Sequence, residues 1–113
     1  MAARRPISVV ETSLFVRQAS EIWDGDERDA FVDFIARNPK AGDVIPETGG
    51  VRKVRWGRAG TGRRGGARVI YFYHDVDRPI YLLMAYAKAR RENLTPEEKR
   101  NVRRLVAILK AGG

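Results

Sequence analysis

At 113 residues with 43% apolar side chains, the chain is sized for one folded domain with a single hydrophobic core, and residues 1–113 are read as that domain. Zero cysteines exclude disulfides, thiol nucleophiles and zinc-thiolate sites, and one histidine leaves no cluster for a metal, so no metal or cofactor is expected. Twenty-two basic against 14 acidic residues give a net charge of +8, a field that suits nucleic acid, ribosome or an anionic membrane.

The membrane is the weakest of these partners. No apolar run approaches the ~18 residues of a span, and MAARRPISVVE lacks the apolar stretch and cleavage site of a secretory signal. A soluble, cytoplasmic protein is expected, and the glycosylation-like triplet Asn93-Leu94-Thr95 is read as chance. The cationic field is concentrated in the second half: residues 1–50 carry a net −3 and residues 51–113 a net +11.

In chain order, residues 7–11 (Ile-Ser-Val-Val-Glu) read as a short strand, and Thr12 or Ser13 caps a helix running to about Trp23. Phe15, Ala19, Ile22 and Trp23 share its apolar face. Asp24-Gly25-Asp26 breaks the chain. A second helix from about Glu27 groups Ala30, Phe31, Phe34 and Ile35 until Asn38-Pro39 stops it. Residues 40–50 have no period and hold one proline and three glycines, the composition of a loop.

Residues 51–56 alternate as a strand, with Val51, Lys53 and Arg55 on one face and Arg52, Val54 and Trp56 on the other. A glycine-rich loop follows, then a β-branched and aromatic strand over 67–74, a turn at Asp75-Val76-Asp77-Arg78-Pro79, and a strand over 80–86. Thr95, Pro96 and Glu98 form the sequence signature of a capped helix, with Val102, Leu105, Val106 and Leu109 as its apolar stripe and Gly112 as its stop. Lys99, Arg100, Arg103, Arg104 and Lys110 occupy its other faces. The order βααβββα predicts an α+β fold: a small antiparallel β-sheet, a two-helix N-terminal hairpin and a C-terminal helix, with the helices on one face of the sheet.

The chemistry-bearing stretch is residues 48–74, with seven basic residues and no acid. Gly60-Thr61-Gly62-Arg63-Arg64-Gly65 fits a dinucleotide fingerprint in spacing, but a strand follows where a helix N-terminus is required. Gly57 to Gly62 has the spacing of a phosphate-binding loop, yet Arg63 and Arg64 stand where Lys and Ser or Thr belong. The loop is instead expected to bring Arg58, Arg63 and Arg64 close to a phosphate backbone. Lys53, Arg55 and Arg68 are strand cations with fixed positions, able to stabilise charge developing on a phosphorane. No acid lies near them in sequence, which favours a functional role over a solvated sheet face. Tyr86 ends a strand beside Lys88, Arg90 and Arg91, whereas Tyr71, Tyr73 and Tyr81 read as core. His74 reads as a surface or hydrogen-bonded residue, not a general base.

The segments GGVRKVRWGRAGTGRRGGARVIYFYHD and IYLLMAYAKARRENLTPEEKR, with ARNPKAGDVIPETGG upstream, closely resemble the RelE/HigB superfamily of bacterial toxin-antitoxin toxins, in its HigB-like branch. The resemblance implies a RelE-like fold and a ribosome-dependent, metal-independent endoribonuclease that enters the ribosomal A site and cuts mRNA. It also implies a cognate antitoxin, of helix-turn-helix type, through which alone the toxin would meet operator DNA. The family's strand-borne basic pair falls on Lys53 and Arg55, its arginine opening the next strand on Arg68, and its positions ending the last strand on Tyr86 and Lys88, with Arg90 or Arg91 as alternatives. The chain has no tyrosine after Tyr86, where some members place a catalytic one. On this reading Lys53 or Tyr86 assists proton removal, Arg55 and Arg68 stabilise the phosphorane, and Arg58, Arg63, Arg64, Arg90 and Arg91 bind RNA. Two other readings remain open: a non-catalytic nucleic-acid-binding module, and a gyrase inhibitor of the ParE type.

Overall fold

A computed structural model describes residues 6–57 and 66–112. The loop arginines Arg58, Arg63 and Arg64 lie outside the described residues.

Each helix begins at a side chain that satisfies an otherwise unpaired backbone donor. Thr12 caps α1 (Ser13–Ile22), its hydroxyl accepting from Phe15 N at 3.3 Å. The same hydroxyl donates to Leu82 O at 2.7 Å and so ties the helix start to the sheet. Asp24 caps α2 (Gly25–Arg37), its Oδ1 accepting from Glu27 N at 2.8 Å. The chain does break between the helices, at Trp23 and Asp24, and Asp24 as the cap starts the second helix two residues earlier than the sequence suggested. In α3 (Pro96–Lys110), Thr95 Oγ1 accepts from Glu98 N at 3.1 Å while Glu98 Oε1 accepts from Thr95 N at 2.9 Å, the reciprocal capping box read from the sequence.

Among the described residues five strands make one sheet in the order β1-β5-β4-β3-β2: β1 (Val9–Glu11), β2 (Asp43–Val44), β3 (Val51–Trp56), β4 (Ala67–Phe72) and β5 (Ile80–Ala87). β3, β4 and β5 form the expected antiparallel meander, whereas β1 pairs parallel with β5. The α1–α2 hairpin between β1 and the meander is what allows the parallel return. β2 lies in the segment read as loop. Its two residues pair with Arg52 and Lys53 because a tight turn at residues 47–50, with Glu47, Gly49 and Gly50 at positive φ, folds the chain back on itself.

The helices cover both faces of the sheet, not one. On one face Phe15 and Ala19 of α1 and Phe31 and Ile35 of α2 pack with Val54, Val69, Tyr71, Ile80, Leu82 and Ala85. On the other, Val102 and Val106 of α3 pack with Val51, Ile70, Phe72, Leu83, Met84 and Tyr86. Alternation explains the division: every residue of β4 is buried, so this strand needs a partner on each side. Burying an aliphatic or aromatic side chain contributes roughly 1.5–3 kcal/mol, which makes two-sided coverage the main stabilisation of the meander. Leu105, placed in the α3 stripe by spacing, is 37% exposed, and Val102 and Val106 carry the contact.

Among the described residues no helix is long and apolar enough to cross a membrane.

Candidate active site

Burial falls along β3 on the face shared with α3. Val51 is fully buried, the Lys53 side chain is one-quarter exposed, and Arg55 is exposed. Arg55 faces Arg68 across the β3–β4 ladder, and Arg68 faces Tyr86 across β4–β5, so these three form one row over three strands. Lys53, two residues before Arg55, sits on the same face in the next row, opposite Ile70. The sheet thus brings together four of the five residues expected to do chemistry. Lys88, the fifth, lies exposed just beyond β5, where its backbone N donates to Gly66 O at 3.1 Å.

The turn between β5 and α3 supplies an anion that local sequence did not reveal. Arg68 donates from Nε to Glu92 Oε2 at 2.9 Å and from Nη2 to Glu92 Oε1 at 3.1 Å. Lys53 Nζ donates to Glu92 Oε2 at 3.1 Å, to Glu92 O at 3.2 Å and to Asn93 Oδ1 at 2.9 Å. Hydrogen bonds from Arg68 and then from Lys53 hold the Glu92 carboxyl down at about 2. Lys53 and Arg68 therefore do have an acidic partner, contrary to the expectation drawn from their neighbours in sequence. Glu92 is the one acid between Asp77 and Glu97, and that isolation within a basic stretch was the available signal.

Tyr86 is 6% exposed, and its hydroxyl donates to Glu92 O at 2.8 Å. Burial raises its phenol, against the opposing pull of Arg91, so the group keeps its proton at neutral pH. The Arg91 guanidinium lies 4.4 Å over the Tyr86 ring and donates from Nη2 to Glu98 Oε2 at 3.0 Å. Hydrogen bonding to Glu98 raises Arg91, and hydrogen bonding to Arg91 lowers Glu98. Arg91 is thus engaged in fixing the Tyr86 ring to the start of α3, while Arg90 is exposed.

The back of the site is held by contacts missing from the sequence reading. Tyr71, fully buried on the opposite face, accepts from Gly42 N at 2.8 Å and donates to Pro39 O at 2.8 Å. Gly42 approaches β3 so closely that a Cβ there would lie 2.7 Å from Lys53 O. His74 Nδ1 lies 3.1 Å from Asp75 Oδ2, away from the cationic row.

A cavity of about 880 Å³ lined by Ile7, Phe34, Pro39 and Tyr73 contains none of the cationic row. The row runs from exposed Arg55 to the nearly buried Arg68 and Tyr86, with Glu92 over Arg68, and lies outside this cavity. Among the described residues no group of three His, Cys, Asp or Glu side chains comes together to hold a metal ion.

The family model described as RelE toxin of RelE / RelB toxin-antitoxin system matches residues 35–112, from the last turn of α2 through α3. The match takes in all four strands from β2 to β5 and every cation of the row. Spanning more than two thirds of the chain, it makes this protein a member of the RelE toxin family, toxins of toxin-antitoxin systems whose partner is an antitoxin.

Proposed function

We propose that this toxin is a ribosome-dependent mRNA endoribonuclease that halts translation, and that it belongs to the HigB-like branch with a helix-turn-helix antitoxin. The observation that carries the reading is the row Arg55, Arg68 and Tyr86, in register across three strands beside Lys53. Two arginines, a lysine and a phenol on the sheet offer preorganised groups to a phosphodiester.

In the reaction, the ribose 2′-oxygen attacks the adjacent phosphorus, the bond from phosphorus to the 5′-oxygen breaks, and a 2′,3′-cyclic phosphate and a 5′-hydroxyl result. The substrate supplies its own nucleophile, so no metal-activated water is needed. Arg55 and Arg68 stabilise the added negative charge of the phosphorane. Because burial raises the Tyr86 phenol, it suits donation of a proton to the departing 5′-oxygen better than removal of one. Proton removal from the 2′-hydroxyl then falls to Lys53. Lys88 and Arg90, exposed at the end of β5, would hold the RNA backbone with Arg58, Arg63 and Arg64. The ribosome supplies what the free chain lacks, a fixed orientation of the mRNA in the A site. Contact with operator DNA would come only through the antitoxin.

The test is mRNA cleavage by the purified chain, mapped by primer extension with and without programmed ribosomes. Cuts only with ribosomes are expected. Cuts on naked RNA would instead mean a self-sufficient ribonuclease. A folded protein that never cuts would overturn the proposal in favour of a nucleic-acid-binding module, or of a ParE-like gyrase inhibitor if DNA damage appears.

A further inference from the structure

The Arg68 side chain is only 5% exposed, and two of its guanidinium nitrogens are spent on Glu92. A substrate phosphate can meet that fork only by taking the place of the carboxylate. The geometry around Glu92 is that of a bound oxyanion: an arginine bridges both oxygens in parallel and a lysine adds a point charge to one of them.

The anchoring of the three groups is unequal. Lys53 and Arg68 rise from the centre of the sheet, on strands paired along both edges. Glu92 lies on the turn between β5 and α3, and its side chain is 43% exposed. Its backbone has a hold separate from the carboxylate, since the Tyr86 hydroxyl donates to Glu92 O. The carboxylate can therefore rotate out to solvent while the turn stays in place, a change of side-chain rotamer and not of fold.

We propose that Lys53 and Arg68 form a phosphate subsite, and that Glu92 is an internal competitor which occupies the subsite until a phosphodiester displaces it. The inference deepens the RNA-cleavage reading and rests on it for the identity of the ligand. It assigns Glu92 the opposite role to a general base: a carboxylate so firmly held by two cations is a poor proton acceptor, and its removal improves phosphate binding. The device lowers the affinity of the free toxin for any phosphate chain it meets, so that only a substrate oriented by further contacts, through Arg55, Lys88 and Arg90, displaces the plug.

The experiment is calorimetric titration of inorganic phosphate into the full chain at low salt, for the wild type, Glu92→Gln and the double variant Lys53→Gln/Glu92→Gln. The uncharged isostere is expected to bind phosphate about tenfold more tightly than the wild type, as removal of a competing charge-assisted pair requires. The double variant is expected to lose that gain, which assigns it to this subsite and not to the exposed cations. Glu92→Asp, too short to span both cations, gives a second and smaller gain and serves if Glu92→Gln fails to fold. Equal or weaker phosphate binding by the folded Glu92 variants overturns the competitor role. Cleavage measured on the same wild-type protein separates the two ideas. Tighter phosphate binding by Glu92→Gln without wild-type cleavage upholds the subsite and sinks the nuclease. Cleavage with unchanged phosphate binding does the reverse.

Discussion

Arg68 and Glu92, 24 residues apart in sequence, are joined by two parallel hydrogen bonds of 2.9 and 3.1 Å that link the middle of the sheet to the turn before α3. Arg55, across the ladder from Arg68, is exposed on the same face. The two arginines therefore separate a structural load from a chemical one. Arg55→Ala is expected to leave stability within about 0.5 kcal/mol of wild type, as for most surface substitutions, and to lower cleavage about 100-fold, the scale for losing one donor to a developing oxyanion. Arg68→Ala should lose cleavage as well, but with a clear drop in the urea midpoint. Comparing urea unfolding with ribosome-dependent cleavage for both variants checks the split, and full activity in Arg55→Ala would remove that residue from the chemistry.

The pH dependence of the Glu92 contact has a definite sign. Its carboxyl is held at about 2 in the folded chain against an ordinary 4.5. A depressed carboxyl stabilises the fold fully above its unfolded value and loses that contribution as pH falls through the folded one. Wild type and Glu92→Gln should thus differ in urea midpoint by a constant amount near neutrality, and converge as pH drops from about 4.5 to about 2. Parallel curves over that window would mean that the contact does not survive in solution.

Glu98 has two tasks, closing the α3 capping box and holding Arg91 over the Tyr86 ring. Thr95 has only the first. Thr95→Ala should cost about 1 kcal/mol, the usual loss of a helix cap, with cleavage nearly unchanged. Glu98→Ala should cost at least as much stability and also reduce cleavage several-fold, because Arg91 and the ring lose their fixed orientation. Equal cleavage by the two variants would detach Arg91 from the site.

Much of this architecture was legible locally, and the failures have physical causes. The capping box at Thr95 and the alternation that separates Val51, Lys53 and Arg55 from Arg52, Val54 and Trp56 are short-range patterns, and both appear in the structure. The two-sided sheet was also signalled, by the apolar runs from Val69 to Phe72 in β4 and from Ile80 to Ala87 in β5 that a one-sided sheet would not need. Strand β2 was not, because its two residues are exposed and are held there by a turn and by the neighbouring strand. The Lys53, Arg55, Arg68 and Tyr86 grouping could be placed by register once the strands were found. The Glu92 contact could not, since it joins residues 39 and 24 positions apart through a turn without periodicity.

Gly42 and Tyr71 test how far the site depends on the sheet behind it. A Cβ at Gly42 would press 2.7 Å from Lys53 O and 3.0 Å from the Tyr71 ring. Gly42→Ala should destabilise the fold by about 1–3 kcal/mol, the range for overpacking, and lower cleavage by moving β3 at Lys53. Tyr71→Phe leaves Gly42 N and Pro39 O without their buried partner and should cost about 1–3 kcal/mol. With β3 itself unstrained, its cleavage per folded molecule should stay near wild type. Chemical denaturation and cleavage of both variants distinguish strain from lost hydrogen bonds.

Tyr86→Phe isolates the phenol hydroxyl, because the ring that Arg91 covers is kept. Among the described residues the hydroxyl donates to Glu92 O, a half-buried bond whose loss should cost about 1 kcal/mol. If it also protonates the departing 5′-oxygen, cleavage should fall about 100-fold or more, the usual contribution of a positioned acid, while RNA binding changes little. A merely structural hydroxyl would lower cleavage only in proportion to the unfolded fraction. The pH profile separates these cases further. Burial raises the phenol, so the wild-type acid stays protonated well into alkaline solution and the rate should not decline there until it ionises. The Phe variant should lack that alkaline decline altogether, and a decline identical in the two proteins would assign the proton to another group.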